Sequence, residues 1–106
     1  GNVEIAGAGA TVVESYRNGT EWYRIWSDGW IEQGGYGVAS GSGEKKNIVL
    51  LKPYIDSSYT ITLANLGGTH HYEYDDAWVS DKTSASFNFN RWGAYAFNWY
   101  ACGQGA

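Results

Sequence analysis

A hairpin centred on Asp28-Gly29 is the sequence feature that most constrains the fold. Aromatic, aliphatic and polar residues alternate on both sides of the turn, over residues 21–35. Asp-Gly is a strong turn signal because glycine accepts the positive φ that a tight strand reversal requires. Trp26 and Trp30 flank the turn, and we expect them to pack as a cross-strand or near-diagonal pair. The segment therefore predicts antiparallel β structure.

Strand and turn signals continue along the rest of the chain. Further strands are predicted over 11–17, 47–52, 57–66, 77–80, 83–90 and 94–102, with turns at 18–19 and 90–93. The continuously apolar run 47–52 is typical of a strand buried on both faces. Alternation in the last two strands predicts an inward face made of Ala85, Phe87, Phe89, Tyr95, Phe97 and Trp99. About eight short strands without a helical stripe predict an all-β fold, a small antiparallel β-sandwich or open barrel.

Composition adds one unusual constraint, an excess of aromatic residues. The chain has 106 residues, with 18 Trp, Tyr and Phe against 16 Val, Ile and Leu. We interpret residues 1–10 as a flexible connector from an upstream region and 11–106 as one domain. A domain of this size cannot easily bury so many rings, and Tyr and Trp also need partners for their polar atoms. Some rings are therefore expected on a surface that another chain or a ligand covers.

Charge and cysteine content exclude several classes of protein. The net charge is −4 and only Lys45 and Lys46 are adjacent cations, so the chain lacks the basic face that nucleic-acid binding requires. No apolar run approaches the ~20 residues of a membrane span, so we predict no membrane insertion. The single Cys102 excludes an intrachain disulfide, and we expect it to be a small core residue.

Three segments, in order, resemble the C-terminal domain of bacteriophage tail fibre proteins. They are 22–35 (WYRIWSDGWIEQGG), 52–63 (KPYIDSSYTITL) and 96–106 (AFNWYACGQGA). The resemblance implies a small aromatic-rich β-domain at the distal end of a tail fibre in the virion. It also implies a homotrimer that recognises a bacterial surface glycan or protein, and it does not imply an enzyme or a cofactor. Residues 1–10 would then connect to an upstream region of the fibre.

The segment 67–76 is the most chemically varied part of the chain. His70 and His71 lie beside Glu73, Asp75 and Asp76, which are all potential metal ligands. Adjacent histidines on a strand point to opposite faces, so a shared ion would need a loop, or one histidine from each chain of a trimer. The alternative is a solvated acidic loop with exposed histidines, and we predict no metal site.

Exposed aromatic residues in turns are the stronger candidates for receptor binding. Tyr72, Tyr74 and Trp92 lie where no core periodicity requires them, and such rings stack on sugars while neighbouring polar groups bind hydroxyls. The candidate receptor-binding residues are His70, His71, Tyr72, Tyr74, Asp75, Arg91 and Trp92. Alternatively, these rings cover the ends of the sandwich or lie in a trimer interface. We expect Trp22, Trp26, Trp30 and the inward phenylalanines to be core or interface residues.

Catalysis is not predicted, although four carboxylates fall near the hairpin. Glu14, Glu21, Asp28 and Glu32 could form a glycosidase pair only at a particular separation within a cleft, and Asp28 already has a role in the turn. The leading hypothesis is therefore a trimeric receptor-binding tip of a tail fibre. A monomeric carbohydrate-binding module and a purely structural trimerisation cap are the alternatives.

Overall fold

The computed structural model describes residues 9–38, 44–66, 77–91 and 96–106. Within these ranges the chain forms eight β-strands and no helix, so none of the described segments is an apolar helix that could span a membrane. The strands are β1 Val12–Asn18, β2 Glu21–Trp26, β3 Trp30–Val38, β4 Glu44–Val49, β5 Thr60–Leu66, β6 Ala77–Ser80, β7 Ser86–Arg91 and β8 Ala96–Gln104. The predicted all-β class and the number of strands are confirmed.

The eight strands form two open antiparallel sheets. A five-stranded sheet has the order β1-β2-β3-β8-β5, and a three-stranded sheet has the order β4-β7-β6. The first three strands are consecutive hairpins, whereas β8 returns from the end of the chain to pair with both β3 and β5. Since the strands form two separate sheets that pack on each other through shared core rings, the structure is the sandwich of the two predicted alternatives.

The two hairpin turns form where the sequence predicts them. Gly29 has φ +89° and Gly19 has φ +66°, in the left-handed region that favours glycine. The Asp28 carboxylate accepts a hydrogen bond from the Trp30 backbone N–H at 3.1 Å, which closes the second turn. Trp26 and Trp30 make no ring contact with each other, so the predicted tryptophan pair is not formed between these described residues.

The hydrophobic core lies between the two sheets and is largely aromatic. Phe89 of β7 stacks on Phe97 of β8 with ring centroids 3.6 Å apart, and Phe87 meets Trp99 edge to face at 5.5 Å. All four rings are buried, as the alternation of their strands predicts. Each pair joins one sheet to the other, so these rings hold the sandwich together.

Two predictions about buried faces are wrong. In the run 47–52, Ile48 and Leu50 are buried but Val49 is 65% exposed, because only one face of β4 meets another sheet. Ala85 is exposed because it precedes β7 and lies outside the regular alternation. Tyr95 and residues 1–8 lie outside the described residues, so the inward position of the first and the connector role of the second stay predictions.

One buried side chain in the core is polar. Gln33 is fully buried, and its amide group makes two hydrogen bonds to the backbone of Lys52. Its Nε2 donates to the Lys52 carbonyl oxygen at 2.8 Å, and its Oε1 accepts from the Lys52 N–H at 3.2 Å. The pair of bonds ties the segment that follows β4 to the centre of β3.

Alkaline pH is expected to destabilise the fold through Tyr54 and Tyr59. Burial raises the pKa of each phenol from 10.0 to about 12. The unfolded chain releases these protons near pH 10 and the folded chain near pH 12, so the stabilisation is complete below pH 10 and is lost as the pH rises towards 12. We expect the urea midpoint of unfolding to change little between about pH 7 and 9 and to fall above about pH 10.

The ultraviolet absorbance of tyrosinate checks this expectation directly. At about pH 11 the native protein should show only part of the tyrosine absorbance change, whereas the urea-unfolded chain should show the complete change. Complete titration of the native protein near pH 10 would contradict the expectation, because no tyrosine would then be protected by burial.

Candidate functional site

The outer face of the five-stranded sheet gathers most of the partly exposed aromatic side chains. Side chains alternate between the two faces of a strand, and the inner face carries Ile31, Phe97 and Trp99 against the three-stranded sheet. The residues between them point outward, and none of the described strands lies across them. The outer aromatic face, as we name it, consists of Trp22, Trp26, Trp30, Glu32, Tyr36 and Tyr100.

A single carboxylate, that of Glu32, accepts hydrogen bonds from two aromatic side chains at the centre of the outer aromatic face. Glu32 accepts a hydrogen bond from Trp26 Nε1 at its Oε1 and another from the Tyr100 hydroxyl at its Oε2, each at 2.7 Å. Burial, and then the hydrogen bond to the Glu32 carboxylate, raise the pKa of Tyr100 well above its usual range. The carboxylate therefore holds one side chain from each of the neighbouring strands in a fixed orientation.

Trp22 is fixed by close packing on the same face. A Cβ atom at Gly34 would lie 2.8 Å from Trp22 Nε1 and 2.7 Å from the Trp99 carbonyl oxygen, so the indole occupies the space that any other residue would fill. The Trp22 ring centroid also lies 6.2 Å from that of Tyr100. Because Gly34 of β3 has no side chain, Trp22 of β2 can pack against the sheet at this position.

The β1–β2 hairpin is the least covered part of the described structure. All seven residues of β1 are exposed, and the only described strand that pairs with β1 is β2. On the inner side, Tyr16 stacks on Tyr23 at 5.4 Å, and the Tyr23 hydroxyl donates to the Glu14 carboxylate. The Lys52 ammonium lies 3.8 Å from the same carboxylate. This side of the hairpin is acidic and internally paired.

The outer side of the hairpin carries cations instead. The register places Ser15 opposite Arg24 and Arg17 opposite Trp22, and all four side chains point away from the three-stranded sheet. The hairpin cleft beside them has a volume of about 210 Å³ and is lined by Ser15, Tyr16, Arg17, Trp22, Tyr23 and Arg24. The exposed guanidinium groups make this cleft locally basic in a chain whose net charge is −4.

A second pocket lies where the chain ends. It has a volume of about 220 Å³, and Trp30 lines it together with Asp56, Ser58 and Gln104. The Asp56 carboxylate accepts a hydrogen bond from the Ser58 backbone N–H at 2.9 Å, and the hydrogen bonds from Ser58 lower the pKa of Asp56. The pocket therefore has an aromatic wall and an ionised carboxylate.

The residues predicted to bind a receptor lie outside the described part of the chain. This holds for His70, His71, Tyr72, Tyr74, Asp75 and Trp92, and their role stays a prediction. The backbone of Arg91 belongs to β7, paired with Glu44 and Ala77, and its side chain lies outside the described part. The predicted turn at 90–93 is thus wrong at its first two positions, which continue the strand.

The position of Cys102 differs from the expected one. Cys102 is a free, half-buried thiol on the outer side of β8, opposite Glu32, and is therefore not a core residue. The Cys102 side chain points outward rather than inward, because strand alternation gives the inward position to the neighbouring Ala101. The described residues contain no group of three or more His, Cys, Asp or Glu side chains that could hold a metal ion.

Sequence reasoning missed the residues that form this site. The hairpin tryptophans were expected to be core or interface residues, and Arg17, Arg24 and Tyr100 were not among the predicted binding residues. The two-residue alternation of the last strand places Tyr100 on the face opposite to Phe97 and Trp99. This pattern was the signal in the sequence for an outward position of Tyr100. The contacts with Glu32 depend on the pairing of β3 with both β2 and β8, which local pattern does not reveal.

Comparison with solved structures identifies chains that share this fold. A C-terminal fragment of the R2 pyocin fibre of P. aeruginosa matches 94% of this chain, with 15% sequence identity and a TM-score of 0.66. An N-truncated R2-type pyocin tail fibre also matches 94% of it, with 16% identity and a TM-score of 0.64. The chain covers 28% and 41% of these two fibre chains.

The fold resemblance expected from the sequence is thus confirmed, because both of these solved chains belong to tail fibres. No protein-family model matches the chain, and no curated protein matches its sequence.

Proposed function

We propose that this chain is the C-terminal domain of a phage-type tail fibre, that it assembles as a homotrimer, and that it binds a bacterial surface receptor. The receptor is a glycan or an outer-surface protein, and the domain acts by binding rather than catalysis, at the distal end of the fibre in the virion. The observation that carries the proposal is the fold that 94% of the chain shares with pyocin tail fibres.

The exposure of β1 supports assembly with further copies of the chain. A strand usually buries at least one face, yet β1 exposes Val12, Val13 and Tyr16 at 42%, 62% and 44%. An uncovered edge strand of this kind is also prone to unwanted pairing. Contact between three chains along the free edge and the inner side of this hairpin would bury Val13 and Tyr16 and protect the edge, and it would leave the outer side of the hairpin open.

The outer aromatic face supports binding of a receptor. The Glu32 carboxylate holds the rings of Trp26 and Tyr100, and close packing on Gly34 holds Trp22, so these three rings would lose little conformational freedom on binding. Rigid aromatic side chains with a few fixed polar groups are the usual composition of ligand sites and interface centres.

Measurement of mass in solution, together with adsorption of the labelled protein to a panel of bacterial isolates, tests the proposal. We expect a trimer that adsorbs to some isolates and not to others. A stable monomer at micromolar concentration would overturn it, and if that monomer bound soluble oligosaccharides the chain would be a carbohydrate-binding module. A trimer that adsorbs to no isolate would be a structural trimerisation cap.

A charged substitution on β1 is expected to weaken the trimer without unfolding the chain. In the Val13→Asp variant a carboxylate would have to be buried between chains, which we expect to weaken association by roughly tenfold or more. Val49→Asp is the matched control, because Val49 is 65% exposed on the three-stranded sheet. Analytical ultracentrifugation over a range of concentrations measures the effect. Equal association of the two variants would show that β1 lies outside the interface.

A further inference from the structure

We infer that the outer side of the β1–β2 hairpin binds an acidic saccharide. In this site Arg17 and Arg24 pair with the carboxylate or phosphate of the sugar, and Trp22 stacks on its ring. The inference rests on the proposed function, since it names the chemical class of the receptor and one place where it binds.

The strand register places Arg17 and Arg24 close together on the outer side of the hairpin. Arg17 lies directly opposite Trp22, and Arg24 is two residues further along β2 on the same face. Arg17 and Arg24 are therefore diagonal neighbours, a relation that places the backbones about 7–8 Å apart and within reach of long side chains. Two guanidinium groups at this spacing can both contact one anionic group, and each can bind it through two parallel hydrogen bonds.

No described carboxylate forms an ion pair with Arg17 or Arg24. Glu32 lies directly opposite Arg24 across β2 and β3, but its two oxygens accept hydrogen bonds from Trp26 and Tyr100. The ion pairs between described side chains are Lys45 with Asp81 and Lys52 with Glu14. The hairpin's own acids, Glu14 and Glu21, lie on its inner side. The outer side of the hairpin thus carries two guanidinium groups against the single carboxylate of Glu32, a balance that favours an anion.

The remaining groups of the cleft favour a sugar as the carrier of that anion. Trp22 borders the cleft, and its indole is held by Gly34 and Tyr100, so a flat apolar surface is already in place for a sugar ring. The exposed Ser15 lies opposite Arg24 and offers a hydroxyl that can donate to or accept from sugar hydroxyls. The volume of about 210 Å³ suits a single small unit rather than a folded partner.

A matched pair of probes tests the inference on the full chain. Tetragalacturonate carries a carboxylate on every ring, and its methyl ester keeps the same sugar skeleton without the charges. We expect chemical shift changes in amide NMR spectra with tetragalacturonate at millimolar concentration, weakening as salt is added, and at least fivefold weaker binding of the ester. Glucose 6-phosphate, compared with glucose, shows whether phosphate is preferred to carboxylate.

Single-charge variants then locate the site. Arg17→Gln and Arg24→Gln should each weaken binding of tetragalacturonate roughly five- to tenfold. Lys46→Gln is the matched control, because Lys46 is an exposed cation on β4 and its loss should leave the affinity unchanged. Equal binding of the ester, or an unchanged affinity in both arginine variants, would overturn the inference. So would tighter binding of a polyglutamate peptide, since the site would then recognise a peptide.

Failure of this inference can be distinguished from failure of the proposed function. If the Arg17→Gln and Arg24→Gln variants remain trimeric and adsorb to the same isolates as the wild type, receptor binding stands and the acidic-saccharide site is wrong. If the wild type itself is monomeric or adsorbs to no isolate, the proposed function is wrong whatever the saccharide measurements show.

Discussion

Replacing Phe89 with alanine is expected to lower the free energy of unfolding by about 3–5 kcal/mol. Phe89 is fully buried and stacks on Phe97 with ring centroids 3.6 Å apart, so the change removes this stacking between β7 and β8 and leaves a cavity between the sheets. Since small domains are stable by only about 5–15 kcal/mol, the variant should be partly unfolded at moderate temperature.

Urea unfolding followed by tryptophan fluorescence measures this loss. Trp78→Ala is the matched control, because it also removes an aromatic ring from the three-stranded sheet, where Trp78 is 45% exposed. The control should change the free energy by less than about 1 kcal/mol. Protein concentration must be held constant in both variants, because the proposed trimer would be stabilised by mass action. Equal losses in the two variants would contradict the assignment of Phe89 to the core.

The Gln33→Leu variant is expected to be less stable by about 2–4 kcal/mol, although leucine is apolar and similar in size. The substitution removes the groups that satisfy the Lys52 N–H and carbonyl oxygen, at 3.2 and 2.8 Å. Both backbone groups would then lose their partner at a site where Gln33 is completely buried, and each unsatisfied group carries a desolvation cost.

The same chemical change at an exposed position isolates this effect. Gln104 is exposed and donates to the Asp28 carbonyl oxygen at 3.1 Å, so Gln104→Leu should cost less than about 1 kcal/mol. Hydrogen exchange of the Lys52 amide should accelerate in Gln33→Leu and remain slow in Gln104→Leu. A Gln33→Leu protein as stable as the wild type would show that apolar packing at this position outweighs the two hydrogen bonds.

Much of the strand pattern was predictable because it depends on neighbouring residues. The Asp28-Gly29 turn and the inward Phe87 and Phe89 follow from local backbone preference and from the two-residue period of a strand. The single-sided burial of the run 47–52 was not predictable. An apolar sequence does not say how many sheets lie beside it, so the 65% exposure of Val49 appears only once the sheets are assembled.

The candidate site was predicted less well than the fold. The expected receptor-binding residues, among them Tyr72 and Trp92, were chosen as turn residues and lie outside the described part of the chain. The described site is instead built on strands, around Trp22 and Glu32. Its basic cleft depends on which residues face each other across β1 and β2.

By itself, the sequence determined that this protein is an antiparallel β structure with an aromatic core, and it carried the resemblance to tail fibres. These features follow from turn chemistry and alternation, which act over a few residues. Only the tertiary structure decided that β8 lies between β3 and β5 in the sheet, although β8 begins 58 residues after the end of β3 in the sequence. That pairing brings the Tyr100 hydroxyl to the Glu32 carboxylate, because a register between distant strands is set by the packing of the whole sheet.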